Sequence, residues 1–563
     1  MSPEPPTRED PAAAAPAAAR PARPGRRGAL ARLRGRWRRR RRGGAHRLPA
    51  APRGPREPVP LTRLDRVILT VLGLLAALTR LTGLTRPTDH GTPVFDEKHY
   101  VPQAWQMLRS TRGTLAGIAG GGIEDNPGFG LVVHPPVAKR VLAIGEWLLG
   151  YGPAGWRVMS ALAGVAVVLL LVDAARRLTG SRVAMVAAGV LGICDGVLFV
   201  GSRVGMLDMI QTLFILAAAW ALLVDRDRQA RRLADWARGR EAAAAAGPAG
   251  AAAAADAAFG PRLPWRWWRF AAGVALGLAL GVKWSGLYYM AAFGLWSVFT
   301  DLADRRRAGA AHPVLGALRR DTLPALGHLV AVPLGTYLMS WRSWFAQETS
   351  VYRHLPADQA EPGFAAAAGW PEPIRNFLHY QRGVLEFHAS LTTSGGHHHP
   401  WESKPWQWLW AGRPMLYYSS EGDCAEGMRC TARQMLFGTP PIWWLLTPVL
   451  AWAAWRLIRR LDRRLALPVT GAVASWLPWA VAQDRQMYFF YATALIPFGI
   501  LAFATAAADL AGWRVRGRRV GLGLVALYLA LVVAAFAFWY PILAGLALPE
   551  ASAGLRFWLP SWR

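Results

Sequence analysis

Three cysteines in 563 residues rule out a scaffold held together by many disulfides. Cys194 lies inside an apolar run and reads as a small packing residue. Cys424 and Cys430 share a polar loop and can form one local bond if that loop faces an oxidising compartment. Acidic side chains are also scarce: 35 Asp and Glu stand against 65 Lys and Arg, a formal net charge of +30. In a soluble protein that balance points to nucleic acid. Here the positive charge forms no continuous stripe but sits in the head of the chain and in short clusters between apolar runs. Membrane lipid is therefore the expected partner, and nucleic acid is not. No short apolar run ends in a cleavage site, so the head does not read as a signal peptide. Large apolar side chains are nearly missing from residues 1–60, which are expected to be a disordered, basic, cytoplasmic tail. No convincing internal repeat is present, which disfavours a secondary transporter.

What is present is apolar sequence in long stretches. Hydrophobic residues make up 53% of the chain, with 28 Trp, and the runs approach the ~20 residues that a helix needs to cross a bilayer. About eleven spans are expected: Val67–Leu84, Ala154–Ala174, Val183–Val200, Gly205–Val224, Phe270–Val282, Ser285–Thr300, Leu323–Ser340, Ile442–Leu457, Leu465–Ala482, Met487–Ala507 and Val520–Ile542. The fifth and sixth are short enough to be one bent helix. With the N-terminus inside, the joints Arg176–Arg182, Arg226–Arg240, Arg305–Arg320, Arg456–Arg464 and Arg514–Arg519 become cytoplasmic, and all are basic. The expected fold is an all-α polytopic membrane domain over 61–545. It carries two long extracytoplasmic loops (85–153 and 341–441), a cytoplasmic insert (225–265) and an extracytoplasmic tail (546–563).

Loops this long in a compact protein usually carry function. The first opens on Phe95-Asp96-Glu97-Lys98-His99-Tyr100, where a carboxylate near the membrane surface can take a proton from an attacking hydroxyl. The alternative is a pair of solvated charges. Next come His134-Pro135-Pro136 and Lys139, a rigid lead into a helix, and then Arg157. Charges at membrane depth are costly unless paired or wet, so they are candidates for function. Asp195, Arg203 and Asp208 fall at one outer joint, Lys283 at another, and Asp484 with Arg485 at a third. Such cations suit a lipid-phosphate leaving group, although snorkelling or an Arg203–Asp208 ion pair would also explain them. In the second loop, His397-His398-His399 precedes Pro400-Trp401-Glu402-Ser403-Lys404-Pro405-Trp406. Adjacent His residues cannot all reach one ion from a regular element, and no flanking zinc pattern accompanies them. A sugar or peptide surface fits this aromatic loop better.

In this order the motifs resemble the protein O-mannosyltransferases, of actinobacterial type, within the GT-C class of membrane glycosyltransferases. The matching residues are Asp96-Glu97, His134-Pro135-Pro136 with Lys139, Arg157, Ser202-Arg203 with Asp208, Lys283-Trp284, His399 with Ser403 and Trp406, and Gln486 with Tyr488 through Tyr491. The resemblance covers roughly residues 60–545. It implies a mannosyl phosphoryl polyprenol donor, a Ser or Thr acceptor on an exported protein, possible work beside the translocon, and inversion at the anomeric carbon. Asp96 is then the base and Glu97 orients it or the sugar. Arg157, Lys283, Arg485 and Arg203 are the expected contacts to the lipid phosphate. No cofactor is implied, and no Asp-x-Asp motif in the outer loops suggests a metal. The second loop is too short for the large β-rich domain of eukaryotic members. A related enzyme moving another polyprenyl-linked sugar to lipid or glycan is the alternative.

Overall fold

The computed structural model describes residues 60–110, 120–126, 130–245, 258–355, 369–425 and 427–563. The basic head and part of the Ala-rich insert lie outside these. Helix α1 (Arg63–Leu81) starts where Thr62 and Asp65 cap each other, side chain to backbone in both directions. Loop helices α2 (Glu97–Arg109) and α3 (Val137–Leu149) precede α4 (Pro153–Thr179), which ends on the left-handed Gly180. The third expected span is broken. Asp195 accepts from the Leu198 N–H and separates α5 (Arg182–Cys194) from α6 (Gly196–Gly201). Helix α7 (Leu207–Ala245) does not stop at Val224 but runs on into the expected cytoplasmic insert, giving 39 residues.

Helices α8 (Trp267–Leu280) and α9 (Gly286–Arg307) are two elements, not one bent helix, and Lys283 sits in the turn between them. Helix α10 (Pro313–Ser340) contains widened turns at Leu318–Thr322 and Gly327–Ala331. The second loop contains α11 (Glu372–Ser390). Helices α12 (Pro440–Arg460), α13 (Ala466–Val481), α14 (Ile496–Ala511) and α15 (Val520–Ala544) complete the bundle. Among the described residues, α4, α7, α10, α12 and α15 are long and apolar enough to cross a membrane, and α5, α8 and α14 are shorter apolar helices. One buried core joins α1, α4–α9 and α12–α15.

The helical architecture is as expected, but helices alone are not the whole of it. Strands β1 (Met415–Ala425) and β2 (Met428–Leu436) form an antiparallel hairpin in the second loop, and the Cys424–Cys430 disulfide lies near its turn. Strand β3 (Ala547–Pro549) pairs with β2, so the start of the segment expected to be an extracytoplasmic tail (546–563) is part of this sheet. The hairpin sequence, Met-Leu-Tyr-Tyr-Ser-Ser, has the β-branched and aromatic character of a strand only in part. The partner of β2 on its other side, β3, follows 115 to 119 residues later (Ala432 with Ala547, Cys430 with Pro549), which periodicity does not reveal.

Candidate active site

The two carboxylates of the Asp96-Glu97 pair have opposite environments. Glu97 is fully buried and accepts four hydrogen bonds: from Arg157 Nε and Nη2 (2.8 Å each), from the Val94 N–H (3.0 Å) and from the Gly205 N–H (2.6 Å). A Cβ on residue 205 would lie 3.4 Å from Glu97 Oε1 and 3.0 Å from the Trp156 carbonyl, so glycine suits this close approach. Arg157 is also fully buried, and its remaining contact is to the Leu84 carbonyl at 3.2 Å. Four donors on one carboxylate make Glu97 a fixed post that ties the first loop to α4 and to the α6–α7 joint. With its acceptor positions filled, Glu97 is not positioned to orient a sugar, and the charge of Arg157 is spent on Glu97 inside the core, away from a phosphate. Both expectations are corrected, because a buried charge takes the nearest opposite charge.

Asp96, by contrast, is half-buried and occupies the N-cap position of α2 without capping it. The left-handed Phe95 (φ 49°) precedes it and stacks on Tyr417 of β1, with ring centroids 4.6 Å apart. Backbone strain of this kind gathers at functional sites. Burial pushes the Asp96 carboxyl up to about 6; Asp208 adds to the rise, while Lys283 and the Tyr100 hydroxyl hold it down. A base with that value is ionised at neutral pH yet able to hold a proton.

Asp208, in the first turn of α7, is bonded by Lys283 Nζ at 2.8 and 2.9 Å. The alternative Arg203–Asp208 ion pair does not form. Arg203 instead donates to the carbonyls of Thr79, Arg80, Thr82 and Gly83, closing the C-terminal end of α1, so its expected phosphate role is also corrected. Lys283 also lies 5.4 Å from the Phe490 ring centre, and Phe490 in turn lies 6.1 Å from Phe95.

A second group adjoins this one. The His134 ring stacks on His388 of α11 at 5.3 Å and lies 6.2 Å from Tyr100. Arg485 donates to the His388 carbonyl and contacts its Nδ1 at 3.2 Å. Burial drives both imidazoles to lower values, His388 to about 4, and the charges of Lys283 and Arg485 act in the same direction. Neutral rings therefore stand between two cations. Lys139 is fully buried and spends its ammonium on the carbonyls of Val133 and His134 (2.9 Å each), fixing the His134 turn at φ 66°.

Most of the remaining expected residues pack among aromatic side chains. Trp284 donates to the Tyr337 hydroxyl at 3.1 Å. His399 packs on Tyr488 at 5.4 Å, and Ser403 Oγ accepts from Trp408 Nε1 at 2.9 Å. Tyr491 contacts Trp408 and Trp479, while Trp406 is exposed. His397 and His398 are exposed, and among the described residues no three His, Cys, Asp or Glu side chains are grouped to hold a metal ion. The structure thus brings together Asp96, Asp208, Lys283, His134 and Arg485. Sequence reasoning missed Tyr100, Tyr417 and His388. The first was detectable, since a residue four after Asp96 shares its helical face; nothing local marks the other two.

Three family models match this chain. The C-terminal four-transmembrane region of protein O-mannosyltransferase covers residues 373–562, and two models of dolichyl-phosphate-mannose-protein mannosyltransferase cover 133–246 and 257–307. A polyprenol-phosphate-mannose–protein mannosyltransferase of Corynebacterium glutamicum is 49% identical over 483 residues, 84% of this chain and 89% of that protein. The protein of the same name from Mycobacterium tuberculosis is 44% identical over 482 residues, 84% of this chain and 88% of its own length. The fold is similar to that of the Saccharomyces cerevisiae protein O-mannosyltransferase Pmt1-Pmt2 complex bound to the sugar donor. That match has a TM-score of 0.66 at 16% identity and covers 90% of this chain and 93% of the other. With the buried charges gathered around Asp96, these likenesses show that the chain belongs to the protein O-mannosyltransferase family of multi-pass membrane glycosyltransferases.

Proposed function

We propose that the chain transfers mannose from a polyprenyl-phosphate-mannose to Ser or Thr hydroxyls of exported proteins, at the outer face of the cytoplasmic membrane. The observation that carries this reading is Asp96: half-buried, uncapped and beside Lys283. Asp96 takes the proton as the acceptor oxygen bonds to the anomeric carbon. The bond from that carbon to the phosphate oxygen breaks, and the polyprenyl phosphate leaves with the electron pair. Attack opposite the leaving group inverts the anomeric centre. Lys283 and Arg485 offset the charge that grows on the phosphate, and Asp208 holds Lys283 in place. The translocon would supply acceptors as unfolded segments. The mechanism calls for no cofactor; a metal requirement is a separate question that chelation of the purified enzyme answers. Membranes supplied with radiolabelled mannosyl phosphoryl polyprenol should label exported protein; label appearing only in lipid or glycan would overturn the acceptor assignment.

Two further outcomes follow from the same site. Activity should be full above the Asp96 value and fall as pH drops through about 6, because a protonated base cannot accept the hydroxyl proton. A pH–rate profile of single turnovers that stays flat down to pH 4.5 would remove Asp96 as base. Separately, Arg485→Gln should weaken donor use by about tenfold or more, the worth of a charge-assisted contact in a partly dry site. Lys283→Met should do the same, whereas Lys283→Arg should keep part of the activity. Donor-saturation kinetics at equal membrane abundance give the comparison, and unchanged kinetics in both neutralised variants would refute the phosphate contact.

A further inference from the structure

The basic joints between helices lie away from the transfer centre, and four of them meet at the far end of the bundle. Helix α4 starts near Arg157 and runs 27 residues to Thr179, about 40 Å at 1.5 Å per residue. Its far end is therefore a bilayer thickness from Asp96. There a cavity of about 300 Å³ is walled by Leu178, by Leu233 and Ala234 of α7, by the end of α9 and by the joint between α12 and α13.

Five Arg (Arg226, Arg238, Arg307, Arg463 and Arg464) and four carboxylates (Asp227, Glu241, Asp304 and Asp462) line this cavity, an excess of one cation. Asp227 is shared between Arg177 (3.4 Å) and Arg226 (3.1 Å). Asp304 is bonded by Arg463 at 2.6 Å, and Arg456 and Arg464 are both paired with Asp462 and Asp509. Arg307 is exposed on the rim, has no ion pair among the described residues, and faces Arg463 and Arg226, with Asp304 the nearby carboxylate already bonded by Arg463. Guanidinium groups brought this close repel one another unless an anion joins them. The walls beside them are alkyl, and Ile458 and Leu461 nearby are 71% and 75% exposed. An unpaired guanidinium among paired ones, beside bare apolar surface at the ends of membrane helices, matches a ligand with a phosphate head and an apolar chain.

We propose that this cavity binds the phosphate head group of an anionic lipid, at a site separate from the transfer centre. Occupancy would tie together the ends of α4, α7 and α9 and the α12–α13 joint, and would stabilise the folded chain by mass action. The test uses the full chain in phosphatidylcholine nanodiscs, with and without a minor fraction of phosphatidylglycerol, and a third sample with inorganic phosphate alone. Wild type should retain phosphatidylglycerol in native mass spectrometry and melt at a higher temperature in its presence. Arg307→Gln should weaken that retention about tenfold or more, with mannosyl transfer in phosphatidylcholine unchanged. Arg226→Gln should act likewise, but it also releases Asp227. Arg307→Gln is the safer variant because it breaks no ion pair. Equal retention of phosphatidylglycerol by wild type and Arg307→Gln would overturn the site. Equal stabilisation by inorganic phosphate alone would overturn the lipid as its ligand.

Discussion

Replacing Asp96 with Asn is expected to lower the rate of mannosyl transfer by about 10²–10⁴-fold, the usual contribution of a general base, without loss of folded protein. The two readouts have different signs for one physical reason. Burial raises the Asp96 value, so the folded state resists its ionisation, and stability falls as pH rises from the ordinary carboxylate value through about 6. Asn keeps the shape and removes that penalty, so Asp96→Asn should melt at or above the wild-type temperature at neutral pH. Purified variant assayed under single-turnover conditions, beside a melting curve, tests both halves. Normal turnover would dismiss Asp96 as the base. A lost rate accompanied by a lost fold would place Asp96 among the structural residues.

The opposite pattern is expected at Glu97 and Arg157. Removing one partner of a fully buried ion pair leaves an uncompensated charge and typically costs ~3–5 kcal/mol. Arg157→Met strands a carboxylate that otherwise has only backbone N–H partners, and Glu97→Ala strands a guanidinium with one carbonyl. Both single variants should insert poorly or unfold at clearly lower temperature, and any activity loss should track the loss of folded protein. Glu97→Gln combined with Arg157→Met removes both charges and should recover part of the stability lost by either alone. The comparison is melting temperature and yield for the singles against the double variant. Glu97→Gln that melts normally but cannot transfer would return Glu97 to the chemistry and refute the structural assignment.

These two predictions concern adjacent residues, which the sequence told apart only through the family resemblance, with Asp96 as the base. The sequence presented Asp96 and Glu97 as one acidic pair, and local pattern contains nothing that assigns one to the core and the other to the cleft. That assignment comes from Arg157 and Gly205, 60 and 108 residues away, converging on Glu97. Arg203 was misplaced for the same reason. Its charge was visible, but the carbonyls at the end of α1 that it closes are more than 110 residues earlier in the chain. The charges of Lys283 and Asp208 are both visible in the sequence, but their pairing across 75 residues is not.

The sequence by itself determined the properties that depend on composition and short-range order. Apolar runs near bilayer length, interrupted by Arg clusters, mark a polytopic membrane protein because a helix is the cheapest way to satisfy backbone groups in lipid. The loop carboxylates, the His134-Pro135-Pro136 turn and the ordered charges at helix joints were enough to indicate the family. Tertiary structure alone decided which charges are spent on one another and which remain for substrate. It also decided that the last residues add β3 to the hairpin, and that Tyr417 and His388 reach the site from the second loop. The reason is physical: a buried charge is assigned by whichever opposite charge or dipole lies within about 3 Å. Distances of that kind are set by helix packing between segments far apart in the chain, not by the residues beside it.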